Sequence, residues 1–150
     1  MIVAATLLSL VSCKNEISFG GVTIELPDDF EEKNVEFTQC CYTTEEVMLM
    51  IDVYLSEDIT EQLGYASNIT LEEYMDEFYM LNGTKAELNI DAERGMAHFA
   101  EYNPDGDRYY EYYIFRTARA FYFVVFNCLT EYESKYDSIF SEWAETITVK

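Results

Sequence analysis

Three sets of residues in this chain have types and spacings that could support chemistry. His98 and Cys128 supply the two groups of a Cys–His nucleophile pair, and His98 is the only histidine in the sequence. Nothing in the sequence draws the two together beyond strand-like surroundings. His98 alternates with Met96, Ala100 and Tyr102, the pattern of a satisfied, half-buried histidine. Asp105 and Asp107 flank Gly106 and offer a hard cation two carboxylates. Calcium takes about six to eight oxygens, and the later Glu of an EF-hand is missing, so residues 103–107 read as a hairpin turn. Tyr109, Tyr110, Tyr112, Tyr113 and Tyr122 form the third set. Tyrosine offers flat area with a polar tip, so the five could line a binding surface. Packing of the sheet beneath helices is the plainer account.

The first thirteen residues are a different material. Residues 1–11 are almost wholly apolar and stop at Ser12-Cys13, after which Lys14, Asn15 and Glu16 turn the chain polar. A transmembrane helix needs about 20 apolar residues. This run has instead the length of a signal-peptide apolar region. Leu10-Val11-Ser12-Cys13 resembles the bacterial lipobox, whose cysteine is acylated and becomes the new N-terminus, although no Lys or Arg precedes the apolar run. The expectation is a signal peptide over 1–13 with a lipid on Cys13, then one domain over 17–150 held outside the cytoplasm at a membrane.

With Cys13 lipidated, Cys40, Cys41 and Cys128 remain. Neighbouring strand residues face opposite ways, so either Cys40 or Cys41, not both, could bridge to Cys128. Such a disulfide closes a long loop and would contribute about 4–5 kcal/mol. Three reduced, buried thiols are the alternative. A zinc site is not expected, because one histidine and no CxxC spacing cannot complete the ligand set. GxSxG, HExxH and glycine-rich phosphate loops are all missing, so neither an enzyme nor a cofactor is expected.

Composition narrows the partners. Nine Lys and Arg stand against 29 Asp and Glu, a formal charge of −20 over 150 residues. That field repels phosphate backbones and anionic headgroups, which excludes nucleic acid and leaves the lipid as the only membrane attachment. A cationic partner or bound cations would suit it. The 49% hydrophobic and 16% aromatic content supports a sizeable single core, with roughly 70% of the unfolded surface buried.

The elements that must position these residues centre on 108–147. Two aromatic runs, 109–115 and 121–126, are apolar on both parities, which describes strands of a sheet covered on both faces. Thr130 and Glu133 have the spacing of a capping box, and Tyr132, Tyr136, Ile139, Phe140, Trp143, Ala144 and Ile147 follow as a helical stripe. Earlier, strands are predicted over 21–27, 35–40 and 47–55, the last interrupted by Asp52, with 31–34 as a charged connection. Residues 56–68 read as a loop or short helix. Thr70 and Glu73 form a second capping box, Leu71, Tyr74, Met75, Phe78 and Leu81 give the helical spacing, and Asn82-Gly83 the stop. Asn68-Ile69-Thr70 and Asn82-Gly83-Thr84 match glycosylation sequons but read as helix-boundary chemistry. Strands follow over 85–90 and 96–102. The sum is α+β: a three-layer α/β/α sandwich with a largely antiparallel sheet of about seven strands.

Gly-Val-x-Ile-x-x-Pro-x-x-Phe over 21–30, Leu-Glu-Glu-Tyr from Leu71, Phe-Tyr-Phe-Val-Val-Phe-Asn-Cys over 121–128 and a closing Tyr-x-x-Ile-Phe helix ending in Thr-Ile-Thr-Val together resemble the PsbP-like (Mog/PsbP-type) family, which includes small bacterial lipoproteins. The resemblance implies an α/β/α sandwich and a binding or assembly-assisting role rather than catalysis, and it assigns no site residue. The expected function is therefore a lipid-anchored, non-enzymatic protein that binds a protein partner at the cell envelope. The alternatives are a carrier or sensor of a small cationic or aromatic ligand in a tyrosine-lined pocket, and a thiol enzyme using Cys40, Cys41 or Cys128.

Overall fold

The computed structural model describes residues 14–64 and 68–150. Cys13 and the apolar run before it lie outside the described residues. In chain order the strands are β1 (Lys14–Phe19), β2 (Val22–Pro27), β3 (Glu31–Lys33), β4 (Cys40–Thr43) and β5 (Val47–Leu55). Helices α1 (Ser56–Leu63) and α2 (Leu71–Asn82) follow, then β6 (Asn89–Asp91), β7 (Met96–Tyr102), β8 (Arg108–Arg116) and β9 (Ala120–Leu129). Helix α3 (Glu133–Ala144) and β10 (Thr148–Val149) close the chain.

Seven strands form one antiparallel sheet in the order β3-β4-β5-β9-β8-β7-β6. The two-parity apolar run explains why β9 sits inside it, since every β9 residue but Leu129 is buried. Even-numbered β9 residues such as Val124, Phe126 and Cys128 enter a core with α3 and with a second sheet, β1-β2-β10. Odd-numbered Phe121, Phe123 and Val125 enter a separate core with α1 and α2. The architecture is the expected α+β sandwich, with the small sheet sharing one outer layer with α3. Phe126 and Phe140 stack at 5.0 Å in the first core and are fully buried; each such side chain contributes roughly 1.5–3 kcal/mol by leaving water.

Local chemistry accounts for most boundaries. Thr70 accepts from the Glu73 amide at 3.1 Å while the Glu73 carboxylate accepts from the Thr70 amide at 2.8 Å, the expected capping box. Gly83 ends α2 at φ 66°, a left-handed conformation that glycine adopts without steric cost. Strand β1 was not expected, because only Ile17 of its six residues is buried. Its signal is Gly20-Gly21: both residues have positive φ, as a two-residue hairpin requires, and a Cβ on Gly20 would stand 2.7 Å from Val53 Cγ2.

Three expectations of local structure fail. The strand expected over 85–90 is reduced to β6 at Asn89–Asp91, with 85–88 outside any strand. Residues 35–40 do not form a strand; the strands are β3, in the charged connection, and β4, with a turn between them. Asp52 Oδ1 holds that turn, accepting from the Gln39 amide at 2.6 Å and from Thr38 Oγ1 at 3.0 Å. The Thr130–Glu133 capping box is also absent. Thr130 donates instead to the Gly106 carbonyl at 2.9 Å, and the Glu133 carboxylate accepts from Tyr102 at 2.8 Å. A 3-10 turn over Thr130–Tyr132 leads into α3. At the other end, Arg94 donates to the Ala144 carbonyl at 3.0 Å, satisfying one of α3's last acceptors.

Candidate functional site

The five tyrosines do not share a surface. Side chains alternate along a strand, so Tyr109 and Tyr113 of β8, with Tyr122 of β9, face α3 and the small sheet. Tyr110 and Tyr112 face the α2 side. Tyr122 donates to the Lys150 carbonyl at 2.6 Å, a tie between β9 and the end of the chain.

Cys40, Cys41 and Cys128 are free and buried. Cys41 turns to the opposite face from Cys40 and Cys128. Cys40 pairs with Ile51, which pairs with Val124, so Cys128 lies two strands across and four residues along. That offset is about 16 Å, far beyond the roughly 7 Å limit for a disulfide, so of the two readings the structure holds the reduced, buried thiols. His98 is level with Val124 through Tyr113 and stands equally far from Cys128, so the two make no pair. Burial raises all three thiols, Cys128 to about 11, the reverse of what a thiolate nucleophile needs. In the β7–β8 turn, the Asp107 carboxylate accepts from Asn103 Nδ2 at 2.6 Å. Asp105 extends from the same exposed turn.

Two polar constellations emerge that the sequence did not announce. On the closed face, Glu111 of β8 is 2% exposed. Its carboxylate accepts from Tyr113 Oη at 2.6 Å and from Tyr109 Oη at 3.1 Å, and His98 Nε2 stands 3.3 Å away. The Tyr109 hydroxyl also lies 3.0 Å from Asp137 of α3, and the His98 ring stacks on Tyr113 at 4.5 Å. Burial, followed by the Glu111 carboxylate, raises the phenols of Tyr109 and Tyr113. These groups satisfy one another beneath α3 and hold the Glu111 carboxylate in place.

The other face is open. Helix α2 covers part of the sheet and leaves an aromatic groove in two adjoining basins of about 590 and 740 Å³ that share Phe78, Tyr110 and Tyr112. In the first, Met50 and Asp52 of β5 and Phe123 and Val125 of β9 form the floor, with Tyr74 and Phe78 of α2 as a wall. Tyr54 and Phe37, 43% and 69% exposed, form the rim. Rings meet edge-on here, Tyr54 with Phe123 at 5.5 Å and Tyr74 with Phe123 at 6.1 Å. Burial pushes the Tyr74 phenol up to about 12. The second basin holds Glu101, raised by burial and partly restored by hydrogen bonds from Thr84 and Tyr112. Of the expected tyrosines only Tyr110 and Tyr112 reach this groove. One trace of it was legible beforehand: Asp52 interrupts an otherwise apolar strand.

These features define an α+β sandwich of PsbP-like fold with an open aromatic groove on one face of its antiparallel sheet. The chain is similar in structure to cyanobacterial PsbP (CyanoP) from Synechocystis sp. PCC 6803, at a TM-score of 0.53 over 93% of this chain and 94% of that one, with 9% sequence identity. No family model matches the sequence, and no curated protein matches it.

Proposed function

We propose that this chain is a non-enzymatic binding protein, tethered outside the cytoplasm by a lipid on Cys13, and that its partner is a protein at the cell envelope that docks over the α2-side groove. The groove itself carries the reading: aromatic side chains, Phe37 above all at 69% exposed, face solvent beside a concave apolar floor, as recognition surfaces require. The lipobox-like run before Lys14 supports the tether. Buried thiols with raised pKa values and a closed Glu111 cluster weigh against catalysis. A photo-crosslinking residue at Phe37 of the full-length protein in its native membrane tests the proposal. One dominant adduct is expected, absent from the same probe at exposed Ser138 of α3 and lost when Cys13 is replaced by Ser. Equal capture from both positions overturns the groove as the docking surface. A second reading, a carrier or sensor of a small cationic or aromatic ligand, is favoured by the placement of Asp52 in the aromatic basin.

A further inference from the structure

The basin beneath Tyr54 has the chemistry of a cation site. Asp52 is the one charged side chain among the described residues that line it, and every other lining residue is aromatic or aliphatic. Its hydrogen bonds from Thr38 and the Gln39 amide run to Oδ1, and they fix the carboxylate on the floor of the basin. Directly across the strand pair from Asp52 is Phe123, the ring on which Tyr54 and Tyr74 converge. Aromatic faces are electron-rich and attract cations within about 6 Å. The same sheet face already holds one such contact, the Arg116 guanidinium 5.5 Å from the Phe121 ring centroid.

The kind of cation follows from what surrounds the carboxylate. A hard metal ion takes about six or more oxygen ligands, and one carboxylate among rings and aliphatic chains cannot supply them. An anion would meet Asp52 and a chain of formal charge −20. A neutral apolar ligand would cover the carboxylate without bringing a charge to balance it. An ammonium ion bearing alkyl groups satisfies all three constraints: it sheds its weakly held water, lays methyl groups on Met50 and Val125, and sets its charge against the rings and Asp52. The cavity of about 590 Å³ falls within the range of small-molecule sites.

We infer that this basin binds a small organic ammonium ion, held between Asp52 and the rings of Tyr54, Tyr74 and Phe123. It rests on the groove being the recognition surface, and it names the group recognised there. The test is an amide NMR titration of the isotope-labelled full chain with choline and, separately, with its neutral isostere dimethylbutanol. Saturable shifts centred on Asp52, Tyr54 and Phe123 are expected with choline, at an affinity about ten-fold above that of the isostere. Asp52→Asn keeps an acceptor for Thr38 and Gln39 and should remove that preference. Tyr54→Leu, at the exposed rim, should weaken choline binding and serves if the Asn variant does not fold. Equal binding of both probes, or binding of neither, overturns the cation assignment. The crosslinking yield at Phe37 is unaffected by either result, so failure of the groove as a docking surface shows separately.

Discussion

The two faces of the seven-stranded sheet solve the same problem in opposite ways. Each carries a carboxylate on a strand interior, Glu111 on one and Asp52 on the other. On the α3 face a helix and a second sheet seal the surface, and Glu111 is surrounded by two phenols and an imidazole. On the α2 face the cover stops short of β5, and Asp52 remains on the floor of an open aromatic basin. A buried charge must be satisfied from within the protein, whereas a half-covered one can be satisfied from outside. The closed face spends its side chains on the core, and the open face leaves aromatic side chains to solvent.

Substitutions should separate the two. Phe126→Ala empties a fully buried site against Phe140 on the closed face and is expected to cost about 3–5 kcal/mol in urea unfolding of the full chain. A loss below about 1 kcal/mol would break the contrast. Tyr113→Phe removes the shortest donor to Glu111 and should cost about 1–2 kcal/mol by the same measurement, since the carboxylate stays buried.

Alkaline pH probes the groove wall. Burial raises the Tyr74 phenol from 10.0 to about 12, so the folded state favours the neutral form. That contribution is whole below pH 10 and is lost as pH rises toward 12, because the unfolded chain releases the proton first. Urea midpoints should therefore fall between pH 10 and 12, and fall less steeply in Tyr74→Phe. An unchanged slope would place Tyr74 outside the titrating set. The smallest effect belongs to the rim. Phe37→Ser, at 69% exposed, should shift stability by no more than about 0.5 kcal/mol while abolishing partner capture in a crosslinking experiment with the probe at Tyr54.

The elements that were legible in the sequence are those whose determinants are local. Strand β5 falls on 47–55, as its apolar run predicts. Helix α2 begins at its Thr70–Glu73 box and ends at Gly83, because each contact closes within a few residues. Thr130 and Glu133 have the same spacing and form no box, since Gly106 and Tyr102, distant in sequence, take their hydrogen-bonding groups. The missing strand over 35–40 has the same cause: Asp52, from the neighbouring strand, holds those residues in a turn.

The site divides along the same line. The sequence by itself determined the sandwich class, the central aromatic strands, the acidic field and the lipobox-like run at Cys13. Strand alternation already implied that Tyr109 and Tyr110 point apart, but not which face would be sealed. That was decided by tertiary packing: α3 and the small sheet close over Tyr109, Tyr113 and Glu111, while α2 leaves β5 uncovered. Register then keeps Cys40 and His98 away from Cys128 and brings Asp52 beside Phe123. Periodicity assigns a side chain to a face, and only the packing of distant elements determines whether that face meets protein or solvent.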